Sequence, residues 1–294
     1  MTGKHLHTIE YQAEKEYRNI RRFLHERHYP EGILAGLKSC SYSLQINGRP
    51  AKLVDPVAVG DYIEVTIAED RTSSAQIVPQ EGKLDIVFED EHLLVINKNH
   101  HMAIHPSLNH KEMSLANVVR FHALSRQDDY PFRCINRLDR DTTGLVIIAK
   151  HRLAAAILSE DIAGRRIHRG YTAVCMGRFE KKEGIIDVPI GRVEGAAVLR
   201  KVDPVHGQRA VTHFRVLEES EANTLVSLVL ETGRCHQIRI HMGYIGHPLP
   251  ADYLYCREYS LYDTIPLHAG RISFTHPVTG AEMSLSTEAP FALL

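Results

Sequence analysis

The sequence predicts an α+β protein of two domains, a small one followed by a larger one, in a chain of 294 residues. Three observations lead there. Short apolar segments with period-two alternation recur along the chain, as in Tyr62 to Ile67. Segments with apolar residues at helical spacing stand between them. A polar stretch without any period, Ala68 to Gly82, interrupts both patterns, and the composition shifts after it.

Residues 1–16 are polar and read as an N-terminal extension or a first strand. From Glu16 onward, Tyr17, Ile20, Phe23 and Leu24 fall on one helical face, with Arg18, Arg21, Arg22 and Arg27 on other positions. Pro30-Glu31-Gly32 breaks that helix, and Ile33, Leu34 and Leu37 make a second short one. Ser43 to Ile46 reads as a strand, Asn47-Gly48 as a tight hairpin turn, and Gly60-Asp61 starts the alternating strand. This gives a small basic domain over 17–67 and a linker over 68–82.

The larger domain is expected over 83–294. Leu84 to Lys98 reads as two strands about a turn. Ser114 caps a helix from about Leu115 to Leu124. Leu145 to Ala149 is short and β-branched enough to be a buried strand. Arg152 to Ala163 is helical, with Leu153, Ile157 and Leu158 on one side. Arg165 to Gly170 is a basic loop, and Tyr171 to Gly177 a strand. Ile185 to Gly191, Ala210 to Leu217 and Leu225 to Glu231 are further strands.

Composition narrows the function classes. The chain is 44% hydrophobic and 24% charged, ordinary for a soluble globular protein, and its net charge is −1. A nucleic-acid binder of this charge must gather its cations locally, and Arg18 to Arg27 and Arg165 to Arg169 are such gatherings. The five cysteines are scattered and form no C-x-x-C, which argues against a disulfide framework or thiolate zinc site and suggests a reducing cytoplasm. The start of the chain is too polar for a signal peptide, and no apolar run approaches the roughly 20 residues of a membrane helix.

The densest chemistry lies at Asn136-Arg137-Leu138-Asp139-Arg140-Asp141, tied through Gly144 to the Leu145–Ala149 strand. Taken alone, this is either a surface turn with a salt bridge before an ordinary strand, or a site held rigidly by the core. Three motifs decide between them. Arg-Leu-Asp-Arg-x-Thr-x-Gly, starting at Arg137, is followed by an apolar run and Ala149-Lys150. Tyr171-x-Ala173-x-x-x-Gly177 comes next, then Glu231-Thr232-Gly233-Arg234-Cys235-His236-Gln237-Ile238-Arg239. In this order they resemble the RluA-type pseudouridine synthases, over about residues 84–285 and including Gly246-His247-Pro248, Asp252-x-x-Tyr255 and His276-Pro277. The small domain resembles the alpha-L RNA-binding domain often attached to such enzymes. Departures stand at Asn99 and His101, where the family has Lys-Pro and Gly, at Asn136 for His, at Cys235 for Thr or Ser, and at Ala251 for Gly.

The resemblance implies a larger domain on a mixed, mostly antiparallel sheet. It also implies an isomerase converting uridine to pseudouridine in structured RNA, ribosomal RNA favoured and transfer RNA possible. No atoms enter or leave in that reaction, so no cofactor or metal is expected. Asp139 is the catalytic candidate: a carboxylate near the anomeric carbon can act as nucleophile, stabilise positive charge on the sugar, or take a proton. Asp141 is read as structural. Arg239 matches the cationic partner, which favours a neighbouring carboxylate's charged form. Tyr171 matches the tyrosine set against the target base, where it stacks or moves a proton. Arg137 fills the space of a flipped base, holds a phosphate, or serves as a loop salt bridge. Arg140, Arg165, Arg166, Arg169 and Arg234 complete the expected RNA-binding set.

Two rivals remain at this level. One is a non-catalytic RNA-binding protein that keeps the fold, favoured by Asn136 and Asn99. The other is a metal-dependent hydrolase built on the 19 histidines, with His100, His101 and His105 or His236 and His241 as ligands. The latter spacing is one residue longer than the H-x-x-x-H that shares a helical face. A cytoplasmic monomer with no membrane partner is expected.

Overall fold

The computed structural model describes residues 5–37, 43–69, 74–106, 112–196, 198–256 and 262–294. Cys40, Ser73 and Ser107 lie outside the described residues, as do the ends of several expected segments.

The first part of the chain folds as a four-stranded sheet covered by two helices. Its strands are β1 (His5–Gln12), β2 (Leu44–Ile46), β3 (Arg49–Pro50) and β4 (Tyr62–Glu69), in the order β1-β4-β2-β3. The helices are α1 (Ile20–Glu26) and α2 (Glu31–Leu37), and the Asn19 side chain caps α1 by accepting from the Arg22 amide. Ile20, Phe23, Leu24, Ile33, Leu34 and Leu37 bury against Ile63, Val65 and Ile67, the inward positions of β4. Asn47 and Gly48 both have positive φ, 51° and 74°, which is what a two-residue turn matching strand twist requires.

Residues 5–12, read as part of an extension or as a first strand, form an edge strand. β1 pairs with β4 along its whole length, from His5 with Glu69 to Gln12 with Tyr62. Polar residues dominate its sequence because only Ile9 is fully buried among its described side chains. The described part of the expected linker after residue 73 is tied down. The Phe132 amide donates to Ser74 Oγ at 2.9 Å, Asn117 Nδ2 to the Val78 carbonyl at 2.7 Å, and the Gln80 amide to the Asn117 carbonyl at 3.1 Å. Residues 74–80 are therefore strapped to the larger body.

That body is built on a nine-stranded sheet. Its strands are β5 (Ile86–Glu89), β6 (Leu93–Lys98), β7 (Thr143–Ala149), β8 (His168–Met176), β9 (Glu183–Asp187), β12 (Val211–Glu219), β13 (Asn223–Leu230), β14 (Leu267–Thr275) and β15 (Glu282–Ser286). The pair β10 (Ile190–Arg192) and β11 (Arg200–Val202) forms a separate small ribbon. The order is β5-β6-β7-β14-β8-β13-β12-β9, with β15 on β14. Among the described residues β7 and β14 make the parallel pairing, and the other neighbours run antiparallel. The single strand expected over Ile185 to Gly191 is thus two strands in two sheets, broken at Val188-Pro189. The expected basic loop passes into strand at His168.

Both faces of β6 and β7 are covered. Leu94, Ile96, Val146 and Ile148 pack with α3 (Leu115–Ser125), while Leu93, Val95, Leu145 and Ile147 pack with α4 (Arg152–Ala163). This explains their continuous apolar runs. Ser114 caps α3 in a reciprocal box with Asn117. On α4, Ala154 and Leu158 face the large sheet, whereas Leu153 and Ile157 join the core of the small sheet, so this helix is shared between the two.

Candidate active site

The Arg137–Asp141 segment reaches its position because β7 behind it is fully buried and because three side chains hold the loop. Asn136 is buried; its Nδ2 donates to the Leu145 carbonyl at 2.9 Å and its Oδ1 accepts from the Ile147 amide at 2.8 Å. Its amide substitutes for a strand partner of β7, a role in the scaffold. Lys98, at the end of β6, is buried and donates to the carbonyls of Asn99, Met102 and Arg140 at 2.8, 3.1 and 3.0 Å. Burial, opposed by Asp141 and Asp139, lowers its pKa to about 7. Asp141 accepts from His101 Nδ1 (2.7 Å), Arg140 Nε (3.0 Å) and Tyr253 Oη (3.0 Å). Burial raises its pKa, but those donors outweigh it and the net shift is downward. His101 therefore clamps the loop in a left-handed conformation, φ 58°, at a position where the resemblance leads one to expect glycine. Gly144, φ 116°, lets β7 approach the backbone of Ala269 on β14, where any Cβ would collide.

Asp139 lines a cavity of about 810 Å³, together with Arg137, Tyr171, Arg169, Arg234, Cys235 and Arg239 among others. Tyr171 on β8 is buried, and burial raises its phenol pKa. Arg239 is on α5 (Gln237–Tyr244). Its Nη1 is 3.7 Å from Asp139 Oδ2. Its stronger partner is Asp252: Nε and Nη2 donate to that carboxylate at 2.7 and 2.6 Å in a fork. Burial disfavours the Arg239 charge, yet the Asp252 carboxylate more than compensates and the pKa is raised. The approach to α5 is knitted by Gln237. Its Oε1 accepts from Thr232 Oγ1 and the Arg234 amide, and its Nε2 donates to the Val211 carbonyl and Thr212 Oγ1.

The structure brings Asp139, Tyr171, Arg239, Arg137, Arg165, Arg169 and Arg234 to one cavity. It does not bring Arg140 or Arg166 there: Arg140 Nε turns to Asp141, and Arg166 Nε pairs with Asp161 at 2.6 Å. Of the N-terminal arginines, Arg21 pairs with Glu31 and Arg27 stacks over Phe23 at 3.7 Å, leaving Arg18 and Arg22 as outward cations. His241 is not placed for a metal with His236, since its nitrogens bond Thr212 Oγ1 and the Val188 carbonyl. Sequence reasoning missed Asp252 and Lys98 as supports of the site. The Asp252-x-x-Tyr255 motif was the available signal for the first. A charged residue ending an apolar strand was the weak signal for the second.

A carboxylate beside a buried guanidinium, in a cavity lined by Arg137, Arg169 and Arg234 on a mostly antiparallel sheet, fits the class of enzymes that act on a base in RNA. The comparisons place the chain within it. The family model for RNA pseudouridylate synthase matches residues 92–244, and the chain belongs to that family. It is 41% identical over 237 residues to the uncharacterized RNA pseudouridine synthase YhcT of Bacillus subtilis (strain 168), covering 80% of this chain and 77% of that protein. It is 36% identical over 240 residues to ribosomal large subunit pseudouridine synthase D of Vibrio vulnificus (strain CMCP6), covering 77% and 73%. Among solved structures, human RNA pseudouridylate synthase domain containing 1 aligns with a TM-score of 0.60 at 26% identity, over 72% of this chain and 87% of that one. The enzyme is an isomerase with RNA as its substrate.

Proposed function

We propose that this synthase isomerises specific uridines of ribosomal RNA, with Asp139 as the catalytic carboxylate, Tyr171 against the target base and Arg239 as the cationic partner. The observation that carries this reading is the meeting of three separated motifs in one cavity, with the Arg239 guanidinium 3.7 Å from the Asp139 carboxylate. Asp252 occupies the other edge of that guanidinium, so Arg239 is aimed before RNA arrives. A uridine must leave its stack to enter, and Arg137 and Arg169 at the cavity wall offer cations to its phosphates. Names of relatives such as the Vibrio vulnificus protein support ribosomal over transfer RNA. The small N-terminal sheet, of alpha-L type on this reading, adds RNA contacts through Arg18 and Arg22.

Pseudouridine mapping across total RNA tests this. Cells lacking the protein should lose the modification at one or a few ribosomal positions. Wild-type protein should restore it, and Asp139→Ala should not, while still binding RNA. Restoration by Asp139→Ala would remove the catalytic assignment, and a loss confined to transfer RNA would remove the ribosomal one.

A further inference from the structure

Beside Asp139 the cavity holds two side chains that the isomerisation has not used. Cys235 and His236 are consecutive, just before the first turn of α5, and His236 has a left-handed backbone, φ 58°. The potential ligand atoms of Asp139, Cys235 and His236 all lie within 4.8 Å of one another. Around a tetrahedral zinc ion, bonds of roughly 2.0–2.3 Å put neighbouring ligand atoms about 3.3–3.6 Å apart, so small side-chain rotations close the set. One thiolate, one imidazole and one carboxylate form a donor set suited to zinc and poor for magnesium or calcium. Three protein ligands leave a fourth position open to water.

The surroundings fit this chemistry. Tyr255 Oη lies 2.7 Å from His236 Nδ1 and accepts from the Arg200 amide at 3.1 Å. When that oxygen also accepts from Nδ1–H, the imidazole keeps its lone pair on Nε2, as a metal ligand needs. Asp252 takes the stronger edge of the nearby Arg239 guanidinium, and against the charges of Arg137, Arg200 and Arg239 the Asp139 carboxylate and the Cys235 thiolate supply the negative charge that would meet a dication. Cys235 is exposed and His236 buried, so an ion can enter from the cavity side.

We propose that Asp139, Cys235 and His236 form an inhibitory zinc site, in which the bound ion occupies the carboxylate that RNA chemistry requires. The inhibitory part rests on the reading of Asp139 given above; the binding part does not. Binding transfers the thiol proton to solvent as the Zn–S bond forms, so affinity rises with pH.

The test uses the full-length, reduced, metal-free protein. Zinc chloride is titrated by calorimetry, and cobalt(II) is added in parallel to read the thiolate-to-metal charge-transfer band in the near ultraviolet. The band reports thiolate ligation, which its loss in the Cys235 variants assigns to that cysteine, and it is blind to a second group, His7, His92 and His151, elsewhere in the fold. Wild type should show the band and lose pseudouridine formation as zinc is added. Cys235→Ser and Cys235→Ala should lack the band and, each referred to its own zinc-free activity, need at least tenfold more zinc for inhibition. An absent wild-type band, or equal zinc sensitivity in both variants, overturns the proposal. Asp139→Asn separates the two readings: if it retains RNA modification, the catalytic assignment fails whatever the cobalt spectrum shows.

Discussion

Arg239 carries its charge at 2% exposure, and the fully buried Asp252 makes that tolerable. Removing one partner of such a pair leaves an uncompensated buried charge, which costs about 3–5 kcal/mol. Asp252→Asn should therefore lower the urea midpoint by a corresponding amount and, by letting Arg239 drift from Asp139, reduce kcat. An unchanged midpoint would show that the fork carries little energy. Lys98 poses the same kind of question without a carboxylate in direct contact. Its ammonium satisfies three loop carbonyls, and Lys98→Met would leave them unpaired at about 1–3 kcal/mol for each one shielded from water. Because one of those carbonyls is that of Arg140, next to Asp139, kcat should fall more than KM changes in steady-state assays. An equal loss from kcat and gain in KM would point to a general loosening instead.

At the level of elements, α4 depends on an unusual cap. His151 precedes its first turn, and its Nδ1 accepts from the Ala154 amide at 3.2 Å. Its Nε2 lies 3.0 Å from His92 Nδ1, and the His7 ring on β1 stacks over it at 4.0 Å. With Nδ1 accepting, the neutral ring must donate from Nε2, so protonating this chain of rings breaks it. Burial, aided by His7 and His92, lowers the His151 pKa from 6.5 to about 2, and burial lowers that of His92 too. The unfolded chain then binds a proton below pH 6.5 that the folded chain refuses, so stability falls as pH falls from 6.5 towards 2. From pH 6.5 to 5 this amounts to about 2 kcal/mol for His151. His151→Asn keeps a capping oxygen and removes the titration. Its melting temperature should change less over that interval than the wild type's, and parallel curves would contradict the assignment.

Over the whole molecule, Glu69 joins the two sheets. It ends β4, and its carboxylate accepts from Arg133 Nη2 at 2.6 Å and from the Arg152 amide, at the start of α4, at 2.5 Å. Leu153 and Ile157 of the same helix lie in the core of the small sheet. The seam thus combines one buried carboxylate with apolar contact. Glu69→Ala should raise amide hydrogen exchange in β1 and β4 while leaving β6 and β7 protected. Equal exchange in both sheets would mean that they open as one unit.

Much of this molecule was legible from local pattern. The capped helix after Ser114, the buried strand after Gly144 and the order of the three motifs needed only neighbouring residues, because caps, strand runs and turn glycines act over a few positions. The Asp139 loop did not belong to that set: its neighbours left it a turn or a site, and the resemblance carried by the separated motifs made it a site. Other features depended on partners far along the chain. Whether the polar first residues are extension or strand is decided when β4 pairs with them, and Asp252 as the stronger partner of Arg239 emerges only when α5 packs. Arg140 and Arg166 read as RNA contacts, and packing adds an aspartate partner to each, Asp141 and Asp161. Periodicity reports which face of an element is buried. Which charge meets which is decided only when the elements pack, since an ion pair depends on distance in space and not along the sequence.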